Sequence, residues 1–332
     1  MKKVMKYVII LVFFLIVAAL SIVSYVKLAL PDIALEPDIQ VDITPARVER
    51  GKYLAHHVAV CMDCHSTRDW SQFAGPMVPG NLGGGGQRFG KEMGFPGTFY
   101  APNITPYALK DWTDAEIFRA ITSGVDKHGK AMLPLMPYPN YGKMDREDIY
   151  DIIAYIRTIP AVVNNVQESK ADFPVSILIN TMPSEATLTK KPFADERIAY
   201  GKYLVAMAGC ADCHSKVDKG AVIAGTEFGG GREFSQPAGT VRSSNITSDR
   251  ETGIGSWSME TFVKQFKKYT DTAFLLPRLG KEDINSPMPW TMYADMKEED
   301  LQAIYMYLNS LQPISNKVIR YEKHSANQVN KQ

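Results

Sequence analysis

Cys61-Met62-Asp63-Cys64-His65-Ser66 and Cys210-Ala211-Asp212-Cys213-His214-Ser215 use every cysteine of the 332-residue chain. The two hexapeptides sit at the centre of a longer repetition. Gly51-Lys52-Tyr53-Leu54 precedes the first, and Gly201-Lys202-Tyr203-Leu204 precedes the second. Glycine runs follow, Gly83 to Gly86 and Gly229 to Gly231, with Arg88 and Arg232 just beyond. Asn103-Ile104-Thr105 then matches Asn245-Ile246-Thr247, and Trp112-Thr113 matches Trp257-Ser258. Last, Met136-Pro137-Tyr138 matches Met288-Pro289-Trp290. The order is kept throughout, which marks one unit duplicated. The expected bounds are 46–160 and 193–313.

Each copy reads as helical, so the expected fold class is all-α. A first helix should run from about Ala46, or Asp195, into the cysteine motif. A second should start at Thr113, with Glu116 completing a capping box, and at Ser258 in the other copy. The closing helices are clearest: Ile149, Ile152, Ile153, Ile156 and Ile159 keep helical spacing, as do Leu301, Ile304, Tyr305, Leu308 and Leu311. Pro160 and Pro313 stop them, and Asp145 is a cap for the first where Lys297 stands in the second. The Gly/Pro-rich stretches between are long for so small a unit, so a conventional side-chain core is not expected to hold them.

Cys-x-x-Cys-His is the attachment signature of a c-type haem. On one helical turn the two thiols face the same way and reach the two vinyl groups. The histidine that follows then lies under the macrocycle, within reach of the iron. Two covalently attached haem c groups are therefore expected, on Cys61, Cys64, Cys210 and Cys213, with His65 and His214 as iron ligands. A thioredoxin-like pair would want a βαβ pattern, and structural zinc would pool ligands from two units that already stand complete. Two disulfides are the remaining alternative for the unmodified chain. A low-spin carrier needs a sixth ligand, and Met136 and Met288 are the repeat-matched thioethers, each stiffened by a following proline. Met144 and Met296 also match but fall where the closing helices begin, and should pack there. His128 has no counterpart in the second copy, and His56, His57 and His324 carry no assigned role. The glycine runs lack the ending of a phosphate loop and should let backbone approach the haem face. Arg88, Arg232, Trp112 and Trp257 are candidates for propionate contacts, and Asn103 and Asn245 are turn formers.

Lys2, Lys3 and Lys6 precede an uncharged run from Val8 to Val26 that Lys27 closes. At about 1.5 Å per residue it is roughly 29 Å long, near the ~30 Å hydrocarbon core. It reads as a single membrane anchor with the basic end in the cytoplasm and the body on the periplasmic side; a cleaved signal peptide is the alternative. The expected partition is a cytoplasmic tip and anchor over 1–28, an extended tether over 29–45, the two repeats, a linker over 161–192 and a tail over 314–332. The apolar run Val175 to Ile179 in the linker should pack along both repeats and fix their geometry. Hydrophobic content of 45%, charge of 22% and a net charge of +1 exclude wholesale disorder and a dedicated nucleic-acid binder.

In this order of motifs the chain resembles the membrane-bound cytochrome c subunits of alcohol and gluconate dehydrogenases. Thr252-Gly253-Ile254-Gly255-Ser256-Trp257 is an especially close match to their pattern, and the likeness covers about residues 46–313. It implies tandem class I cytochrome c domains ligated by His65/Met136 and His214/Met288. Those subunits typically carry three haem domains and attach to the membrane at the other end, and this chain departs from both. The function expected is electron transfer from a dehydrogenase or quinol-oxidising partner to a terminal oxidase or soluble cytochrome, with membrane lipid as the other partner and no catalytic residues. A dihaem enzyme, such as a peroxidase or thiosulfate dehydrogenase, is the competing class; it would need an open or displaceable iron position.

Overall fold

The computed structural model describes residues 1–36, 38–270, 276–280 and 282–323; His324 and the rest of the tail lie outside them. Helix α1 (Lys2–Ala29) is apolar and long enough to cross a membrane, a test that a signal sequence also passes. The segment after it is extended and laid along the first repeat. Ile39 is buried, the Val41 amide donates to Asp114, Arg119 donates to the Ile33 carbonyl, and Arg146 pairs with Glu36.

The first repeat contains α2 (Pro45–Tyr53), α3 (Cys61–His65), α4 (Pro106–Leu109), α5 (Asp114–Ser123), α6 (Tyr138–Tyr141) and α7 (Arg146–Thr158). Helix α8 (Val175–Leu178) lies in the connection. The second repeat has α9 (Arg197–Met207), α10 (Cys210–Cys213), α11 (Met259–Lys267), α12 (Trp290–Tyr293) and α13 (Glu298–Ser310). The starts follow local chemistry. Thr113 and Glu116 close the capping box on α5, Ser258 accepts from the Thr261 amide at α11, and Asp145 accepts from the Glu147 amide at α7. Lys297 makes no side-chain cap at α13, and the acidic Glu298, Glu299 and Asp300 fill that first turn instead.

The first and last helices of each repeat cross at a glycine. A Cβ on Gly51 would lie 1.8 Å from the Asp151 carbonyl oxygen, and one on Gly201 2.0 Å from that of Ala303. This close approach buries Leu54, Ile149 and Ile153 in one repeat and Leu204, Leu301 and Leu308 in the other. The first copy has one residue more than the second between this glycine and its cysteine motif. It absorbs the surplus as a π-helical turn, Leu54–Val58. Both copies then pass through a left-handed residue, Val60 (φ 46°) or Gly209 (φ 63°), before the first cysteine.

The all-α expectation is wrong: the described residues also form three small antiparallel sheets. Strands β1 (Arg88–Phe89), β2 (Gly97–Tyr100) and β3 (Lys170–Ala171) make the first, β4 (Val217–Asp218) and β5 (Ala221–Val222) the second, and β6 (Glu233–Gln236), β7 (Gly239–Arg242) and β8 (Tyr321–Lys323) the third. The central strands alternate buried and half-buried residues as a two-residue period requires. With four residues each, they are too short for that alternation to stand out from a glycine-rich loop. One outer strand of each three-stranded sheet, β3 or β8, comes from beyond a closing helix, and pairs Gly97 with Ala171 or Gly239 with Lys323. Both glycines are required: a Cβ at either would lie 2.2 Å from a carbonyl oxygen of the added strand.

Candidate functional site

The two Cys-x-x-Cys-His units are built alike. Nδ1 of His65 donates to the Pro102 carbonyl (2.7 Å), and Nδ1 of His214 donates to the Ser244 carbonyl (2.7 Å). That bond fixes the tautomer and leaves Nε2 with its lone pair. Burial pushes both imidazoles below their ordinary value, so they are neutral at pH 7. The next residue locks the unit down: Ser66 accepts from the Gly83 amide and Ser215 from the Phe228 amide, both at 3.1 Å.

The glycine runs bring backbone against backbone beside the motif. Gly85 (φ +71°) and Gly230 (φ +73°) donate to the His65 and His214 carbonyls. Their α-carbons press on backbone, so that a Cβ would stand 2.5 Å from Pro102 or from Ser244 and Asn245. They bring the chain against the turn that holds the histidine. Asn103 and Asn245 form that turn, each Oδ1 accepting from the amide and hydroxyl of the threonine two residues on. Their Nδ2 groups donate to the Val162 and Ile314 carbonyls, past the closing helices.

The four thiols are free. Desolvation pushes them up, to about 12 for Cys61, Cys64 and Cys210, although their residues keep accessible surface and Cys213 is exposed by area. A raised thiol pKa is the opposite of what a redox-exchange pair requires. Among the described residues no three His, Cys, Asp or Glu side chains converge as a metal site.

Met136 and Met288 occupy identical turns, half-buried against the core. The carbonyl of each accepts from the amide two residues on, at 2.7 and 2.8 Å. The intervening Pro137 (φ −77°, ψ 50°) and Pro289 (φ −79°, ψ 63°) hold the angles of an inverse γ-turn. Met144 and Met296 are instead fully packed at the start of the closing helices. The buried hydroxyl oxygens of Tyr138 and Thr291, at the two turns, have no hydrogen-bond partner among the described residues. A haem, with an apolar face and a polar edge, fits this set: paired thiols, an oriented imidazole, a thioether turn and an unmatched hydroxyl in each copy.

Among the propionate candidates, Arg88 lies on the surface with Glu92. Arg232 reaches the motif itself and donates to the Asp212 carbonyl. Trp257 is half-buried in the core, and the Trp112 ring is approached by Lys127. Arg68 was not singled out by sequence, and it does in the first copy what Arg232 does in the second: it is buried and paired with the motif's Asp63 at 2.6 Å. His128 stays on an exposed loop, its amide donating to Asp126.

The two copies meet through residues that sequence reading used only as repeat markers. The Tyr53 hydroxyl donates to Asp300 (2.5 Å) and accepts from the Lys297 amide (3.1 Å). The repeat-matched Tyr203 donates to Asp148 (2.8 Å) and accepts from the Asp145 amide (3.0 Å). Each copy's first helix thus grips the start of the other's last helix. Asp148 is fully buried; desolvation works against its charge, yet Arg50 and Lys191 hold its carboxyl below the usual range. His57 adds a bond to the Met292 carbonyl (2.9 Å), and Asn140 one to Asp212 (2.6 Å). The second attachment unit thus touches the first copy directly, through Asp212.

The chain is 28% identical over 310 residues to the alcohol dehydrogenase (quinone) cytochrome c subunit of Gluconacetobacter polyoxogenes, covering 87% of this chain and 61% of that protein. This chain is a relative of dehydrogenase cytochrome c subunits. The gluconate 2-dehydrogenase cytochrome c subunit of Pantoea cypripedii is also 28% identical, over 80% of this chain and 60% of its own length. The fructose dehydrogenase cytochrome subunit of Gluconobacter japonicus is 26% identical, over 80% and 52%. The chain therefore spans between about half and three fifths of the length of the curated relatives it matches. No family model matches the chain.

Proposed function

We propose that this chain is a membrane-anchored dihaem cytochrome c that carries electrons from a dehydrogenase to a downstream acceptor, a terminal oxidase or a soluble cytochrome. One haem c would be held by Cys61, Cys64, His65 and Met136, and the other by Cys210, Cys213, His214 and Met288. When bound, each haem supplies an iron centre that takes up and gives back one electron. The chain's own residues do the rest. The Pro102 and Ser244 carbonyls orient the imidazoles, the Met-Pro turns hold the sulfurs, and the tyrosines of the interface fix one unit against the other. That reciprocal interface is the observation that carries the reading, because a relay needs two centres held close at a constant separation.

The relatives' names support a dehydrogenase as donor. Anchoring, with the body on the outer side of the cytoplasmic membrane, is supported by the length and apolarity of α1, by the basic residues ahead of it and by its contact with the linker. The test is a pyridine haemochrome assay on the purified chain, together with stopped-flow reduction by a quinone-dependent alcohol or gluconate dehydrogenase. Two haems per chain and rapid reduction of both are expected. One haem per chain, or slow reduction of either, would refute the reading.

A further inference from the structure

The linker run was expected to pack along both repeats. It packs on the membrane helix instead. Helix α8 and the 3₁₀ turn Ile179–Thr181 lie against the C-terminal end of α1. Asn180 Nδ2 donates to the Val26 carbonyl (3.1 Å), one of the last four carbonyls that a helix leaves without internal donors. Val23 and Val26, one turn apart, are the residues of α1 that are not fully exposed. Both belong to the apolar run, so the linker meets α1 at the level where that run ends, not in the water beyond it.

The segment seated there is itself built for lipid. Between Asp172 and Glu185 no residue is charged, and six are large and apolar: Phe173, Val175, Ile177, Leu178, Ile179 and Met182. Phe173 is 81% exposed, Leu178 48% and Met182 36%. Strand β3, two residues upstream, holds its start to the first repeat, and the Lys91–Asp172 pair flanks it on the water side.

We infer that residues 173–184 form a second membrane contact, an interfacial element whose exposed Phe173, Leu178 and Met182 enter the headgroup–acyl boundary beside α1. The inference rests on the anchor reading of α1. Continuity argues for lipid over a protein partner: whatever surrounds Val26 must also surround the side chains stacked on it. A short apolar element of this kind sits at the boundary and does not span it. One helix alone lets the body swing about its tether. Two contacts fix which face of the haem domains looks along the membrane.

The experiment is photo-crosslinking of the full haem-loaded chain in phosphatidylcholine vesicles containing a minor fraction of a lipid with a diazirine near the headgroup end of its acyl chain. Labelled residues are then mapped by peptide mass spectrometry. Label is expected on α1 and on 173–184, and to drop at least fivefold on the latter in the Phe173→Ser, Leu178→Ser, Met182→Ser variant while α1 stays labelled. Label on α1 with none on 173–184 overturns the inference and leaves the anchor intact. Label on neither overturns the anchor reading itself.

Discussion

Replacing Gly201 with alanine adds one methyl group at the point where α9 crosses α13. That methyl carbon would stand 2.0 Å from the Ala303 carbonyl oxygen, 2.5 Å from its carbon and 3.0 Å from the Tyr307 Cβ. Ordinary contact begins near 3.4 Å, and the obstructing atoms are backbone, which no rotamer change can move. The helices must therefore part by roughly 1.4 Å, opening a gap around the buried Leu204, Leu301 and Leu308. A gap of even 0.5–1 Å forfeits about a quarter to a half of each dispersion well. Overpacking costs about 1–3 kcal/mol, and a backbone clash belongs at the upper end. Alanine returns roughly 1 kcal/mol of helix propensity. The net expectation is about 2 kcal/mol of destabilisation, or ~8 °C in the melting midpoint of a domain this size. The loss should fall on the second repeat, because α9 leads directly into Gly209 and Cys210. Guanidinium unfolding of the detergent-solubilised protein, followed at the haem bands, measures it. Gly280→Ala is the control: among the described residues a Cβ there meets only the Asp283 carboxylate, at 3.5 Å. If Gly201→Ala unfolds within about 0.5 kcal/mol of the parent, the crossing is not the tight contact described.

Met136→Ala and Met288→Ala should each abolish one methionine–iron charge-transfer band near the red edge of the oxidised spectrum and lower one of two reduction potentials, since thioether ligation raises the potential. Persistence of both bands in either variant would dismiss that methionine as a ligand. Tyr203→Phe strips a donor from the buried Asp148 and an acceptor from the Asp145 amide, and should cost about 1–3 kcal/mol in urea unfolding, as should Tyr53→Phe at Asp300. Near-zero changes would mean the copies are held by something else. His56 is buried, with Nε2 2.6 Å from the Tyr155 hydroxyl; desolvation, then the charges of His57 and Lys52, push its pKa down to about 4. The unfolded chain takes up this proton near pH 6.5 while the folded one refuses it, so stability should fall as pH drops from about 6.5 towards 4. His56→Gln should remove up to roughly 2 kcal/mol of the stability difference between pH 7 and pH 5, and equal slopes in parent and variant would contradict this.

The interface gives the duplication a structural meaning. A tyrosine in one copy pairs with an aspartate in the other, and the reciprocal pair repeats the geometry at 2.5 and 2.8 Å. The two halves are therefore a pseudo-symmetric pair that resembles a dimer of one ancestral unit, now joined by the linker. One joining segment serves a second purpose: its strand β3 completes the first sheet before its apolar turn reaches α1.

Much of this was written locally in the chain. Cys-x-x-Cys-His is a covalent spacing, legible without a fold, and it named the sulfurs and the imidazoles. The caps at Thr113, Asp145 and Ser258 and the isoleucine spacing of the closing helix each depend on a few adjacent residues, so they too could be read directly. What tertiary structure decided was long-range. Strands of two to four residues take their stability from partners such as Ala171 and Lys323, which join only after a closing helix has brought them back. The π-turn at Leu54–Val58 forms because one surplus residue must fit between two points already fixed by packing. Tyr53 and Tyr203 repeat visibly in the sequence, but nothing local says that each faces the opposite copy. Only closure of the whole chain puts hydroxyl and carboxylate within reach of one another.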